Sequence, residues 1–266
     1  MLFGEIVYGP IHSRRLGVSL GMNLMPTDVK LCTFDCVYCE CGFNTSSRHP
    51  HLPSREEVAA ALEANLLQLQ AEGVRPDVIT FSGNGEPTLH PDFRDIIADT
   101  CRLRDRYCPS AKVSVLSNST QLARPDVVEA LKMCDNRILK LDSAVTATMR
   151  LIDQPVNADL TVEEIIALLK QFDGRFTLQT CFLRGEVVAP NPNRSDRYLL
   201  GAIDNTTPEE LQAWYEAVRL LRPEKIMIYV IDRATPVEGL HKISPEQMHA
   251  IAQPLLDEGF DVSVSC

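Results

Sequence analysis

Val78-Ile-Thr-Phe-Ser82 is a short β-branched run, closed by Gly83-Asn-Gly-Glu-Pro87 and followed by a helical stretch over Asp92–Arg106. A β-branched run of this length, ended by glycine and proline, reads as a buried strand with a loop at its C-terminal end. The same sentence repeats downstream. Val113-Ser-Val-Leu-Ser117 ends in Asn118-Ser-Thr and leads to a helix over Pro125–Met133. Arg137–Asp142 leads to a helix over Thr161–Phe172, Phe176–Leu183 to one over Pro208–Leu221, and Lys225–Ile231 to one over Pro245–Glu258. A last strand is expected over Asp261–Ser265. Upstream, Gly17–Leu24 is the one strand expected in an otherwise irregular first 50 residues. A helix opens after Ser54, with Glu57 placed for a capping box and Val58, Leu62, Leu66 and Leu69 forming its apolar stripe. Pro208 and Pro245 each follow a capping Thr or Ser, which suits the first helical position.

Strands that alternate with helices of 10–15 residues imply βαβ units on a parallel sheet. About six such units are too few for an eight-fold barrel. The expected fold is therefore α/β, a partial (β/α)6 TIM-like barrel of parallel strands, with a flat doubly wound sheet as the rival. One domain over 1–266 is expected, 1–50 being an N-terminal segment with a cysteine loop and 51–266 the βα repeats. Gly185–Thr207, rich in Pro, Asn, Asp and Arg, is long for a βα connection and reads as a functional or mobile excursion.

The chain has 266 residues, 45% of them apolar and 23% charged, which is ordinary globular usage and excludes wholesale disorder. Its formal net charge of −10 counts against a broad nucleic-acid footprint. Neither a secretory leader nor an apolar run long enough to span a membrane is visible, so a reducing cytoplasm and no membrane partner are expected. Nine cysteines, four of them at Cys32, Cys36, Cys39 and Cys41, do not look like a disulfide framework there. Cys32-Thr-Phe-Asp-Cys36-Val-Tyr-Cys39 puts three thiols at spacings of four and three on one loop. Soft thiolates suit either an iron–sulfur cluster or zinc. Three ligands on a cubane would leave a fourth iron open to a small molecule, whereas zinc knuckles usually pair two CxxC units.

The C-x3-C-x2-C arrangement, with Tyr38 before its last cysteine, resembles the signature of the radical S-adenosylmethionine (radical SAM) superfamily. Gly83-Asn84-Gly85-Glu86 resembles that superfamily's Gly-Gly-Glu region, and Ser117-Asn118 its ribose-contacting position. Tyr8–Gly17, Ser82–His90, Leu141-Asp142 and Ile228–Arg233 extend the resemblance to a subgroup related to wyosine-type tRNA synthases. The resemblance implies a radical SAM-type partial barrel with one [4Fe–4S] cluster on Cys32, Cys36 and Cys39. It implies S-adenosylmethionine (SAM) held by Tyr38, Gly83, Asn84, Gly85, Glu86, Ser117 and Asn118, with Glu86 suited to the methionine ammonium. Reductive cleavage of SAM to a 5′-deoxyadenosyl radical, which abstracts hydrogen from a substrate, is the implied chemistry.

Catalytic residues beyond these are unknown; the candidates are Lys140 and Asp142, two apart on one strand, and Arg233 at the end of another. Arg14 and Arg15 could bind an anion. Cys41, Cys101, Cys108, Cys134 and Cys266 read as bystander thiols, and Gln179 and Cys181 as barrel lining. The expected partners are a small-molecule, peptide or nucleotide substrate and a one-electron reductant of flavodoxin or ferredoxin type. Nucleic acid is not expected for the isolated chain. The alternatives are an RNA- or tRNA-modifying enzyme of the wyosine-synthase kind and a zinc-bound interaction module.

Overall fold

Six strand-then-helix steps succeed one another among the described residues, as the alternation predicts. Their order is β2 (Gly17–Met22) to α1 (Arg55–Ala71), β3 (Val78–Phe81) to α2 (Phe93–Tyr107), and β4 (Lys112–Ser117) to α3 (Pro125–Met133). Then come β5 (Asn136–Lys140) to α4 (Thr146–Asp153) and α5 (Val162–Leu169), β6 (Thr177–Cys181) to α6 (Pro208–Leu221), and β9 (Lys225–Tyr229) to α7 (Pro245–Asp257). A last strand, β11 (Val262–Ser265), closes the series. The structure, a computed structural model, describes residues 2–13, 16–45, 50–190 and 197–266. Arg14 and Arg15 lie outside the described residues.

The chain forms two compact units: Met1–Cys32 with Asn44–Ile138, and Thr33–Phe43 with Leu139–Cys266. In the first unit, β2, β3 and β4 pair in parallel, with Ser19, Val78 and Lys112 in register. All four residues of β3 are buried, and its one polar side chain, Thr80, meets Ser19 Oγ at 2.8 Å. Ser54 caps α1 through the expected reciprocal bonds with Glu57, at 3.2 and 2.7 Å. Val58, Leu62, Leu66 and Leu69 are its buried stripe, as expected.

The first 50 residues are less irregular than expected. A strand β1 (Val7–Ser13) precedes β2 and pairs with it antiparallel, with a register shift between Tyr8 and Ile11. Its Gly-Pro interruption and mostly exposed side chains hide it from any periodicity argument. It is fixed by tertiary contacts instead: Tyr8 stacks on Phe3 at 3.8 Å and its hydroxyl meets Ser82 Oγ at 2.7 Å.

In the second unit, β6, β9 and β11 pair in parallel. Two further features depart from expectation. The 185–207 excursion is largely an antiparallel hairpin of β7 (Leu183–Pro190) and β8 (Arg197–Asp204), joined by β10 (Leu240–Lys242) into a second sheet. Turn-forming residues mask Val187-Val188 and Tyr198 in that sequence. Gly185 lets β10 approach: at its φ of +147°, a Cβ would lie 2.2 Å from the Gly239 carbonyl oxygen. The second is α4, which has no side-chain cap and begins with β-branched residues. Its end is set by Gln154 in the left-handed region.

Candidate active site

The Gly83–Glu86 loop and Ser117-Asn118 lie at the C-terminal ends of β3 and β4, and Lys140 and Asp142 at that of β5. In the first unit the loop after β3 is built around the backbone of Leu31. Leu31 N–H donates to the Asn84 carbonyl at 2.9 Å and its own carbonyl accepts from Glu86 N–H at 3.1 Å. Gly85 lies between them at φ +144°, where a Cβ would stand 1.8 Å from the Leu31 oxygen, so only glycine permits this approach. The segment leading into Cys32 is thereby bonded directly to the Gly83–Glu86 loop.

Asn84 is fully buried and its side chain is saturated. Its Oδ1 accepts from Phe3 N–H at 2.8 Å, and its Nδ2 donates to the carbonyls of Phe3 and Pro26, each at 2.8 Å. Glu86 is 2% exposed. Its Oε1 accepts from Thr88 Oγ1 at 2.5 Å and Thr88 N–H at 3.1 Å, and its Oε2 from Asn118 N–H at 2.7 Å. Burial pushes this carboxyl above its usual range, and the bonds from Asn118 and Thr88 offset part of that. The side chains of Asn84 and Glu86 thus fasten the loop to its surroundings.

Glu86 also sets the end of β4. With Asn118 N–H held by the carboxylate, Asn118 Oδ1 accepts from Thr120 N–H at 3.1 Å and its Nδ2 reaches Cys32 Sγ at 3.6 Å. Ser117 Oγ accepts from Ser119 N–H at 3.1 Å, and Ser119 itself sits at φ +70°, an uncommon conformation for a residue with a side chain. Asn44 closes the arrangement at Cys32: it accepts from the Cys32 N–H at 2.9 Å and donates to its carbonyl at 3.0 Å.

Cys36 and Cys39 belong to the second unit. Cys39 N–H donates to the Cys36 carbonyl at 3.0 Å, and Gly42 N–H to the Cys39 carbonyl at 2.9 Å, so the loop descends in tight turns. Asp35 and Val37 N–H bond to the carbonyls of Asp153 and Ile152 at the end of α4, both at 2.9 Å. Lys140 Nζ donates to Cys36 Sγ at 2.9 Å, lies 3.0 Å from Asp142 Oδ2, and contacts Asp153 Oδ1. Burial pulls this ammonium's pKa down, but Asp142, Asp153 and Cys36 outweigh it and hold Lys140 well above its usual range. Burial pushes the Asp153 carboxyl up to about 7 against the pull of Lys140, as two carboxylates crowd one ammonium.

Asp142 also accepts from the Cys181 N–H at 2.9 Å and from the Tyr38 hydroxyl at 2.5 Å. Burial, then Asp142, raises the Tyr38 phenol well above its usual range. Tyr229 meets the Tyr38 ring edge-to-face with centroids 6.4 Å apart. Lys140 and Asp142 are thus brought together as the strand spacing predicts. Arg233 is not with them: it forms a 2.6 Å ion pair with Glu40, in which both side chains are more than half or half exposed. Sequence reasoning passed over Asp153 and Asn44. Asp153 sits on the helix whose sequence carries no cap.

Among the described residues no cysteine is joined in a disulfide, and Cys32, Cys36 and Cys39 are all half-buried. Hydrogen-bond donors aimed at two of the three sulfurs fit thiolate ligation, because such donors favour the charged form. Among the described residues, no three His, Cys, Asp or Glu side chains converge on a single-ion position, the arrangement of a zinc knuckle. Thiolates that each meet a separate iron do not require it. Also among the described residues, no helix is long and apolar enough to cross a membrane.

Comparison with known proteins finds relatives of this chain and solved structures similar to it. A relative named GTPase Obg, from Brachyspira hyodysenteriae, is 29% identical over 247 residues, 91% of this chain but only 32% of that protein. A UPF0026 protein from Helicobacter pylori strain J99 is 29% identical over 258 residues, 96% of this chain and 81% of the relative. Among solved structures, a radical SAM methyltransferase from Sphaerobacter thermophilus matches with a TM-score of 0.63 at 13% identity, over 92% of this chain and 65% of that one. TYW1 with a lysine-pyruvate adduct bound matches with a TM-score of 0.60 at 16% identity, over 91% and 74%. The fold is therefore the mixed α/β partial barrel of radical SAM enzymes, as expected from the strand count. The model of the radical SAM superfamily matches residues 29–187, more than half of the 266, with all three motif cysteines inside. The chain belongs to the radical SAM superfamily.

Proposed function

We propose that Cys32, Cys36 and Cys39 hold one open-site [4Fe–4S] cluster and that the chain is a SAM-cleaving enzyme acting on a substrate other than nucleic acid. The observation that carries the reading is the pair of donors on the sulfurs, Asn118 Nδ2 on Cys32 and Lys140 Nζ on Cys36, within the matched region. When bound, the cluster supplies the electron that splits SAM into methionine and a 5′-deoxyadenosyl radical. The chain's own residues orient and enclose. Glu86 fixes Asn118 through its backbone N–H, and Asn118 in turn positions the Cys32 sulfur. Gly85 lets the loop after β3 close on Leu31, beside the first thiolate. A flavodoxin- or ferredoxin-type donor is the proposed reductant.

The lysine adduct named for TYW1 belongs to that protein. In this chain Lys140 Nζ is already engaged by Cys36 Sγ, Asp142 and Asp153. The net charge of −10 favours a small-molecule, peptide or nucleotide substrate over tRNA. The test is anaerobic reconstitution with iron and sulfide, followed by assay of 5′-deoxyadenosine under a strong reductant. Cys36→Ala is expected to abolish its formation and Cys41→Ala to leave it intact. Stoichiometric zinc and no cluster would overturn the reading. Salt-dependent binding of total tRNA at low salt would favour the RNA-modifying alternative.

A further inference from the structure

We infer that Lys140 is a positioning residue for the Cys36 thiolate, spent on that sulfur and its two carboxylates instead of on substrate. This rests on the cluster assignment proposed above. An ammonium has three N–H donors. Three acceptors surround this one: Cys36 Sγ at 2.9 Å, Asp142 Oδ2 at 3.0 Å, and Asp153 Oδ1 in closer contact. The side chain is 10% exposed, and the rings of Phe34 and Tyr38 lie 5.2 and 5.0 Å from Nζ. No donor is left over for a ligand carboxylate.

The carboxylates are themselves held. Asp142 is fixed by Cys181 N–H and the Tyr38 hydroxyl, and Asp153 ends the helix whose carbonyls receive Asp35 and Val37 N–H. The loop on either side of Cys36 is therefore tied to α4 by backbone, and Cys36 itself is tied to β5 by Lys140. A cationic donor on one ligand sulfur stabilises the more negative, reduced cluster and raises its potential. Lys140 is a cationic donor on Cys36, whereas Asn118 on Cys32 is neutral, so this tuning acts through Cys36.

The experiment is potentiometric EPR of the reconstituted protein, with iron and sulfide content and a circular-dichroism melt on each variant. Lys140→Gln alone leaves two buried carboxylates unpaired and can unfold the unit. The comparison is therefore Asp153→Asn against the Lys140→Gln/Asp153→Asn double variant. Loss of Lys140 in that background is expected to lower the reduced-to-oxidised ratio at fixed potential about tenfold, a shift of ~59 mV to more negative potential for a one-electron couple. Lys140→Arg is expected to retain most of the wild-type potential. A folded double variant with the iron content and potential of Asp153→Asn would overturn the inference while leaving the cluster reading intact. A wild-type chain that assembles no cluster would overturn both.

Discussion

Replacing Asn84 by Ala separates a loop fastener from a ligand contact. The side chain makes three bonds of 2.8 Å: one accepted from Phe3 N–H and one donated to the Phe3 carbonyl, both part-buried, and a buried one donated to the Pro26 carbonyl. Each neutral hydrogen bond contributes roughly 1 kcal/mol net, so about 3 kcal/mol is lost directly. The unmet Pro26 carbonyl adds a desolvation penalty, while water can reach the half-buried Phe3, giving about 3–4 kcal/mol in all. For a chain of this size each kcal/mol is worth about 2–4 °C, so Tm should fall by roughly 6–16 °C. The assay is a thermal melt of the cluster-free protein without SAM, which a ligand role alone would not move. Asn84→Asp is the companion variant. Its second oxygen would face two carbonyl oxygens, so at pH 8 it should be as damaging as Ala despite its matching shape. A melt of either variant within about 2 °C of wild type would refute the reasoning.

Gly85→Ala should be more damaging still, because its Cβ would meet the Leu31 carbonyl oxygen at 1.8 Å and backbone must move; a lower Tm than Asn84→Ala in the same melt checks this. Arg233→Ala should change stability by no more than about 0.5 kcal/mol, since its pair with Glu40 is solvent-exposed, and urea titration measures it. Asp153 has a folded pKa of about 7, raised above the unfolded value near ~3.9. Its contribution is therefore fully present below the unfolded value and lost as pH rises through about 7. Between pH 8 and 5 the wild type should gain up to about 3 kcal/mol relative to Asp153→Asn, measured by urea unfolding; parallel pH profiles would contradict this.

What could be read from sequence was whatever a local rule decides. The bounds of α3 and α6 follow from Pro125 and from Thr207-Pro208, and β3 from four consecutive buried residues. What escaped is decided by partners distant in the chain. β1 owes its place to β2 and Ser82, β10 owes its place to Gly185, and α4 has no side-chain cap to announce it. The site divides in the same way. Cysteine spacing and the two-residue step from Lys140 to Asp142 are visible in one dimension. Asp153 enters only once α4 is folded, and Asn44 only because its amide meets the Cys32 backbone. The saturation of Asn84 and Glu86 was invisible for the same reason, since Phe3 and Asn118 are 81 and 32 residues away.

The bond between Phe3 and Asn84 also orders events during synthesis. Phe3 leaves the ribosome with its partner 81 residues behind it, and at ~5–20 residues per second that is a delay of about 4–16 s. During that interval the start of the chain has neither the Asn84 amide nor the Ser82 hydroxyl to hold it. β1 can pair with β2 as soon as both have emerged, whereas Phe3 and the Tyr8 hydroxyl are held only once the loop that follows β3 is made. Slowing translation between residues 22 and 84 would lengthen the time the start of the chain stays open to proteases and chaperones.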